Sequence, residues 1–279
     1  MATSAPKIAV ATDFSSRADR AIDRALQISR DTNRCLCAIH ALDAINADGA
    51  DWERLHSDMR HSIGADEEPG VLEFRFPEGS PPKAIAQTCE ECDAQLLVVG
   101  PARYNTLGDY FLGTSVDYLL RYTERPVLVV KNRVRAPYQQ IIAGTDFSAG
   151  SAHAIIEASR MFPGLPVHLT HAWDVPFKAL QQDSYVAEET QCEERDKMDQ
   201  FLAELVEREP SLASATTELV QGDAVKAIRS SLDKHPNALV VLGSHGTSGW
   251  RQAAIGSVTS DLLRFVAGDM LVVDTKEAD

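Results

Sequence analysis

The chain has 279 residues, of which 44% are hydrophobic, and a formal net charge of −14. This length fits one large domain or two ordinary ones. The acidic balance argues against nucleic acid and acidic membranes as partners, because both attract clustered lysines and arginines. We find no apolar run of about 18 residues that would predict a membrane span. The N-terminal MATSAPKIAVATDFSS also lacks the pattern of a signal peptide, so we expect a cytoplasmic protein.

The chain contains an internal repeat. KIAVATDFSSRADRAI at 7–22 matches QIIAGTDFSAGSAHAI at 140–155, and the later apolar runs QLLVVG and ALVVLG correspond in the same order. Two copies of this size make two domains. We predict that they cover residues 1–134 and 138–279.

Each copy shows the same order of predicted elements. An apolar strand (IAVAT, IIAGT) precedes a helix that a serine can cap, and a second strand (LCAIHAL, VHLTHAW) follows. A variable charged region comes next, and in the second copy YVAEETQCEERDKMDQFLAELVERE predicts a long amphipathic helix. The copy continues with a strand, a helix, a strand ending in glycine (LLVVG, LVVLG), a glycine-containing loop, a helix and a last strand (PVLVV, MLVVD). Strands that alternate with helices predict an α/β fold with a doubly wound, five-stranded parallel sheet in each domain.

The loop after LVVLG has the pattern G-x2-G-x9-G-S, formed by Gly243, Gly246, Gly256 and Ser257. Gly243 can turn sharply at the strand end, and Gly246 lets the backbone approach a ligand closely. Gly256 and Ser257 open a helix, whose N-terminus attracts anions. The pattern favours phosphate binding, with ordinary helix capping as the alternative. The loop matches neither the P-loop pattern nor the G-x-G-x-x-G pattern. Arg251 lies within it, and its side chain would either contact a phosphate or be exposed to solvent.

Other polar residues follow or occupy the predicted strands. Asp146 ends its strand and can bind an adenine amino group or a ribose hydroxyl, with a turn or N-cap role as the alternative. His40 and His171 lie in apolar strands, where a bonded core histidine is the favoured interpretation. The cysteines at 89 and 92 form a C-x-x-C pair, for which a helix-surface pair is favoured over a metal or redox site.

These tandem motifs resemble the universal stress protein family. The resemblance rests on TDFS, the histidine-containing strand end, G-x2-G-x9-G-S/T and the closing PVLVV strand, and it covers nearly the whole chain. It implies a Rossmann-like nucleotide-binding fold, a role in stress regulation, and ATP or AMP as the ligand, often with Mg²⁺. Carried over by position, the nucleotide-binding residues would be Thr145, Asp146, Ala172, Gly243, Gly246, Gly256, Ser257 and Val258.

The first copy departs from the family pattern. Gly100, Gly113 and Thr114 fit, but Arg103 replaces the second glycine and Asp109 adds a negative charge. We therefore expect the first site to be weak or empty. The alternative is that Arg103 points away from the ligand or contacts a phosphate itself.

The last strands of the two copies, PVLVV and DMLVVD, are edge-strand candidates. Domains of the family commonly pair through these strands. The resemblance therefore implies that the two segments pair antiparallel within one chain and form an intramolecular pseudo-dimer, which would cover both edges.

The sequence is compatible with three functions. The favoured one is an ATP-binding stress-response regulator with an adenine nucleotide and a protein of unspecified identity as partners. The alternatives are a slow ATPase of the same fold and a non-binding scaffold. No convincing nucleophile–base pair or carboxylate cluster is present in the sequence, so we assign no catalytic or metal-ligating residues. The sequence leaves the oligomeric state open, with a homo-oligomer among the alternatives.

Overall fold

The structure, a computed structural model, describes residues 6–16, 18–43, 51–64, 72–101, 114–174, 184–245 and 255–274. These residues form two compact units that divide after Pro137. The first unit also contains Ile255 and residues 269–272 from near the end of the chain. No helix in the described ranges is long and apolar enough to cross a membrane.

The first unit is built around a parallel sheet with the strand order β3-β2-β1-β4-β5. Four of its strands are mostly apolar and buried, as expected when helices cover both faces of a sheet, whereas the edge strand Leu72–Arg75 carries two charged residues and is only partly buried. Its elements are, in chain order, β1 (Lys7–Ala11), α1 (Ala18–Thr32), β2 (Cys35–Ile39), α2 (Trp52–Ile63), β3 (Leu72–Arg75), α3 (Pro81–Glu91), β4 (Ala94–Val99), α4 (Thr114–Tyr122) and β5 (Val127–Val129).

The cysteines of the C-x-x-C pair lie in the first unit. Cys89 lies in α3 and Cys92 directly after it, and both are buried, with exposures of 0% and 4%. The interpretation of this pair as a helix-surface pair is therefore wrong.

The second unit repeats this arrangement, with parallel strands in the order β8-β7-β6-β9. The chain runs from β6 to β7 and β8 on one side and returns to β9 on the other side of β6, so the strand order reverses between β6 and β9. Its elements are β6 (Gln140–Gly144), α5 (Ala149–Met161), β7 (Val167–Trp173), α6 (Ser184–Arg208), a 3₁₀ segment (Pro210–Ser214), β8 (Thr216–Gln221), α7 (Ala224–Lys234), β9 (Ala238–Gly243) and α8 (Ser257–Phe265).

The last strand, β10 (Met270–Val273), pairs antiparallel with β5. Met270 lies opposite Val129 and Val272 opposite Val127, all within the first compact unit. The predicted antiparallel pairing of the two closing strands is therefore confirmed, and so is the predicted α/β fold with mainly parallel strands. The pairing covers the edge of β5, which would otherwise expose unpaired backbone groups.

A buried charged cluster fixes the start of β10 in the first unit. The Asp269 carboxylate accepts hydrogen bonds from the backbone N–H groups of Lys131 (2.8 Å) and Asn132 (2.9 Å). It also forms an ion pair with Arg24 at 3.5 Å. Asp269 and Lys131 are each 2% exposed, so these charges are almost completely removed from water.

Burial lowers the pKa of Lys131 to about 7, although the nearby Asp269 charge partly opposes this shift. The ordinary lysine pKa is 10.5. Between about pH 7 and 10.5 the unfolded chain therefore binds a proton that the folded chain lacks, and the free energy of unfolding rises with pH across this window.

We predict that Lys131→Met is more stable than the wild type at pH 7, by about 1–4 kcal/mol. Arg24 still pairs with Asp269 in this variant, so no carboxylate is left without a counter-charge. Urea denaturation at pH 7 and 9.5 should show a smaller rise in stability with pH than in the wild type. Lys83→Met, which removes an exposed lysine, is the control. An unchanged pH dependence in Lys131→Met would contradict the prediction.

Candidate functional site

The TDFS turn at the end of β6 is held by its own side chains. The Thr145 hydroxyl accepts the N–H of Phe147 at 2.9 Å, and the Asp146 carboxylate accepts the N–H of Ser148 at 3.1 Å. Ser148 in turn caps α5 by accepting the N–H of Ser151 at 3.1 Å. Phe147 has a φ of 63°, a left-handed conformation that is uncommon for a bulky residue. Such strained positions cluster at functional sites.

His171 on β7 braces this turn. Its Nδ1 lies 2.7 Å from the Thr145 carbonyl oxygen, and its ring stacks on Phe147 with centroids 4.2 Å apart. Its Nε2 lies 3.4 Å from a carboxylate oxygen of Glu194 on α6. A carbonyl and a carboxylate are both acceptors, so the imidazole donates to both only when each nitrogen carries a proton. His171 is bonded to the turn and is also a lining residue of the cavity described below.

The first unit contains the same turn. The Thr12 hydroxyl accepts the N–H of Phe14 at 3.0 Å, and Asp13 accepts the N–H of Ser15 at 3.0 Å. Phe14 is also left-handed, with a φ of 58°, and its ring packs in a tilted arrangement against His40, with centroids 4.2 Å apart. The Nδ1 of His40 lies 2.9 Å from the Thr12 carbonyl oxygen. The scaffold of the candidate site is therefore duplicated.

The glycine motifs differ in sequence between the two copies, but the residues that distinguish them are not among those that the structure describes. In the first copy, Arg103, Asp109 and Gly113 lie outside the described residues. In the second, Gly246 and Arg251 do as well. The prediction that the first site is weak therefore stays a prediction.

The two ends of the second glycine loop are joined by hydrogen bonds. The Gly256 N–H donates to the Ser244 carbonyl at 2.9 Å, and the Thr259 hydroxyl donates to the Gly243 carbonyl at 2.9 Å. A Cβ at position 256 would lie 3.4 Å from the Ser244 oxygen, which is a tight contact. Gly256 also provides no side-chain cap for α8. The helix α8 therefore begins beside the end of β9. Because Gly256 has no side chain, it caps none of the first N–H groups of this helix.

A cavity of about 470 Å³ lies where β6 and β9 end, at the reversal of strand order. Ligands bind at this position in open α/β sheets. Of the residues predicted for the site, those that line the cavity are Thr145, Asp146, Ala172, Gly243, Gly256, Ser257 and Val258. Gly246 lies outside the described residues. The structure thus brings together residues that are far apart in the sequence.

Several lining residues were missed by the sequence analysis. Asp174 and Asp223 line the same cavity as Asp146, and Ile228 and Leu242 supply apolar surface. Asp223 caps α7, where it accepts the Lys226 N–H at 2.8 Å. Asp174 directly follows β7, and this position at a strand end was the available signal.

The cavity combines three kinds of surface. Apolar side chains from α7 and β9 can contact a flat ring, and carboxylates can accept hydrogen bonds from hydroxyl or amino groups. The N-terminus of α8 offers N–H groups and the positive end of a helix dipole, which suits an anion. This arrangement can hold a ligand that is apolar at one end and anionic at the other.

The two α/β units and the cavity at the strand-order reversal define a tandem Rossmann-like protein with a ligand-sized site in its second unit. A sequence model of the universal stress protein family matches residues 5–131 and 137–274. The chain belongs to the universal stress protein family and contains two of its domains in tandem. The resemblance that the motifs indicate is confirmed.

Individual relatives agree with this assignment. A universal stress protein of Mycolicibacterium smegmatis (strain ATCC 700084 / mc(2)155) is 28% identical over 200 residues, which cover 68% of this chain and 66% of the relative. A universal stress protein structure from Pseudomonas aeruginosa UCBPP-PA14 has a TM-score of 0.67 at 17% identity, covering 97% of this chain and 93% of that one. One from Archaeoglobus fulgidus DSM 4304 has a TM-score of 0.65 at 14% identity, covering 96% and 98%. At these identities the two structures show the fold alone.

Proposed function

We propose that the chain is a cytoplasmic stress-response regulator that binds an adenine nucleotide, ATP or AMP, in its second domain. The observation that carries this proposal is the cavity, which unites the TDFS turn with the start of α8. Its volume lies in the range of small-molecule and cofactor sites.

The residues that line the cavity fit such a ligand. Thr145 and Asp146 would lie near the base and ribose, and the Ala172 backbone would contact the adenine. Gly256, Ser257 and the first N–H groups of α8 would receive the phosphates, because that helix begins without a side-chain cap from Gly256. Mg²⁺, if required, would enter with the phosphates, as is usual for this ion.

Binding would act by shifting populations of conformations or assemblies, since the nucleotide stabilises whichever state holds it more tightly. A regulator of this kind needs binding without rapid turnover. The two alternatives, a slow ATPase of the same fold and a non-binding scaffold, differ from this regulator in turnover and in binding.

The stoichiometry of bound nucleotide tests the proposal. Purified full-length protein is analysed for co-purified nucleotide, titrated with ATP and with AMP, and followed for hydrolysis. We expect about one nucleotide per chain and negligible turnover. Several turnovers per minute would favour the enzyme, and no binding at millimolar nucleotide would leave the scaffold.

Matched aspartate variants test which domain binds. Asp146 and Asp13 are both exposed and make the same turn hydrogen bond. We predict that Asp146→Ala lowers nucleotide affinity about 10-fold or more, because a hydrogen bond to a charged group is lost. Asp13→Ala should change affinity less than about twofold by the same titration, well under the effect of one hydrogen bond. Equal losses of nucleotide affinity in the two variants would show that the aspartate acts by stabilising the turn and not by contacting the ligand.

A further inference from the structure

Helix α6 reaches the TDFS turn of the second unit through two side chains. Glu194 lies at ion-pair distance from His171, with its Oε2 3.4 Å from the Nε2 of the imidazole. About two turns further along α6, Phe201 packs edge-to-face on Phe147, with ring centroids 5.6 Å apart. Both contacts act on the turn itself, because His171 is bonded to the Thr145 carbonyl and Phe147 is the left-handed residue.

Both nitrogens of the His171 ring face acceptor oxygens. The Nδ1 lies 2.7 Å from the Thr145 carbonyl oxygen, which can only accept a hydrogen bond. A neutral ring that donates from Nδ1 therefore turns the lone pair of Nε2 toward the Glu194 carboxylate, whereas an imidazolium donates to both oxygens. The side chains of His171 and Glu194 are only 14% and 16% exposed, so little water is available to replace the missing hydrogen bond.

The position of the Glu194 carboxylate is fixed by a second contact on α6. Lys197 binds its other oxygen, Oε1, at 2.8 Å. On β8, the register partner of His171 is Leu219, which carries no charge. The bridge between α6 and the turn thus depends on one proton of the imidazole. The titratable residues that line the cavity together with His171 are Asp146, Asp174, Asp223 and His245.

In the described part of the first unit, the corresponding histidine does not form this bridge. The Nδ1 of His40 lies 2.9 Å from the Thr12 carbonyl oxygen, as in the second unit, but the ring packs against Phe14 and Phe76. No carboxylate among the described residues forms an ion pair with His40. The proton-dependent link therefore belongs to the domain for which nucleotide binding is proposed.

We infer that His171 is a positioning residue for nucleotide binding, which joins α6 to the TDFS turn when its imidazole is protonated. The inference rests on the proposed function of the second domain and adds a dependence on pH to it. Histidine is the side chain that ordinarily changes charge between about pH 5 and 8. As the pH rises through this range, the ring loses one of its two hydrogen bonds, the turn that carries Asp146 is held less firmly, and nucleotide affinity falls.

Calorimetric titration of the full-length chain with AMP, between about pH 5.5 and 8.5, tests this coupling. The amide introduced by Glu194→Gln can donate to a neutral ring and accept from a charged one, so it keeps the bridge in either state. The variant and the wild type should therefore bind equally at low pH. At high pH the variant should bind about 3- to 10-fold more tightly, the effect of one hydrogen bond. The ratio of the two affinities cancels the titration of the nucleotide's own phosphate.

Glu193→Gln is the matched control for this titration. It removes the same charge from the neighbouring, exposed position of α6 and should follow the wild type at each pH. Equal pH profiles in the wild type and Glu194→Gln, or a similar gain in Glu193→Gln, would overturn the inference and leave the proposed function intact. An absence of nucleotide binding in all three chains would overturn the proposed function, and this inference with it.

Nuclear magnetic resonance measures the protonation of the ring without any nucleotide. In long-range proton–nitrogen spectra of the free, isotope-labelled protein, the histidine signal that disappears in His171→Gln belongs to His171. We expect this ring to keep a proton on both nitrogens to a higher pH in the wild type than in Glu194→Gln, because only the carboxylate attracts an imidazolium. The same titration in both chains would show that Glu194 does not hold the proton, and would overturn the inference.

Discussion

Replacing Asp269 by alanine should lower the free energy of unfolding by about 3–5 kcal/mol, because it leaves a buried cation without its counter-charge. Arg24, which pairs with Asp269 at 3.5 Å, is 5% exposed and cannot regain water without local unfolding. The same change removes the acceptor for the Lys131 and Asn132 N–H groups. The charged cluster at the start of β10 is therefore a position where one substitution costs the first unit several kcal/mol.

Urea denaturation monitored by circular dichroism measures this effect. Asp261→Ala is the matched control, because Asp261 is an exposed aspartate on α8, and its loss should change stability by no more than about 0.5 kcal/mol. Asp269→Asn should fall between the wild type and Asp269→Ala, since its amide oxygen can still accept one N–H while the charge is gone. A loss below about 1 kcal/mol in Asp269→Ala would show that the cluster relaxes and takes up water.

The α/β fold was predictable from the sequence because hydrophobic periodicity directly encodes it. Continuous apolar runs such as QLLVVG and ALVVLG mark strands buried on both faces, and helical spacing separates them. The antiparallel pairing of β5 and β10 was also accessible, because the family resemblance and two apolar edge strands both point to it. The repeat shows the order of strands and helices twice, and it supplies the two closing strands that pair.

The Asp269 cluster could not be predicted in this way. Asp269 aligns with Pro126 in the first copy, so the repeat gave no signal that this aspartate is special. Its partners Arg24 and Lys131 are distant in the sequence, and each alone reads as a surface charge. Their burial follows from tertiary packing, which local patterns do not contain.

The candidate site was only partly predictable, for similar reasons. Strand ends meet at one edge of a parallel sheet, so Asp146 and Gly243 could be placed together from their positions alone. The left-handed Phe147 could not, because local rules assign that conformation to glycine or asparagine. Asp223 was missed because it lies in the short turn between β8 and α7, where it caps α7, and no motif marks it as part of the cavity wall.

Replacing Gly246 by arginine should lower the nucleotide affinity of the second domain by about 100-fold or more, equivalent to roughly 3 kcal/mol. Gly246 lies in a loop whose two ends, at Gly243 and Gly256, both line the cavity. A side chain there would occupy space that the ligand needs if the backbone is to approach it. The substitution recreates the residue found at the equivalent position of the first copy, Arg103.

Calorimetric titration with ATP and AMP, alongside Gln200→Arg, measures this loss. Gln200 is exposed on α6, so its replacement adds the same charge and size to the second domain away from the cavity, and its affinity should match the wild type. An attractive arginine near phosphates would instead strengthen ATP binding more than AMP binding, because ATP carries more phosphate charge. Unchanged or tighter binding in Gly246→Arg would therefore show that Arg103 does not by itself weaken the first site. A loss of nucleotide affinity in Gly246→Arg but not in Gln200→Arg would show that this one replacement is sufficient to weaken the site.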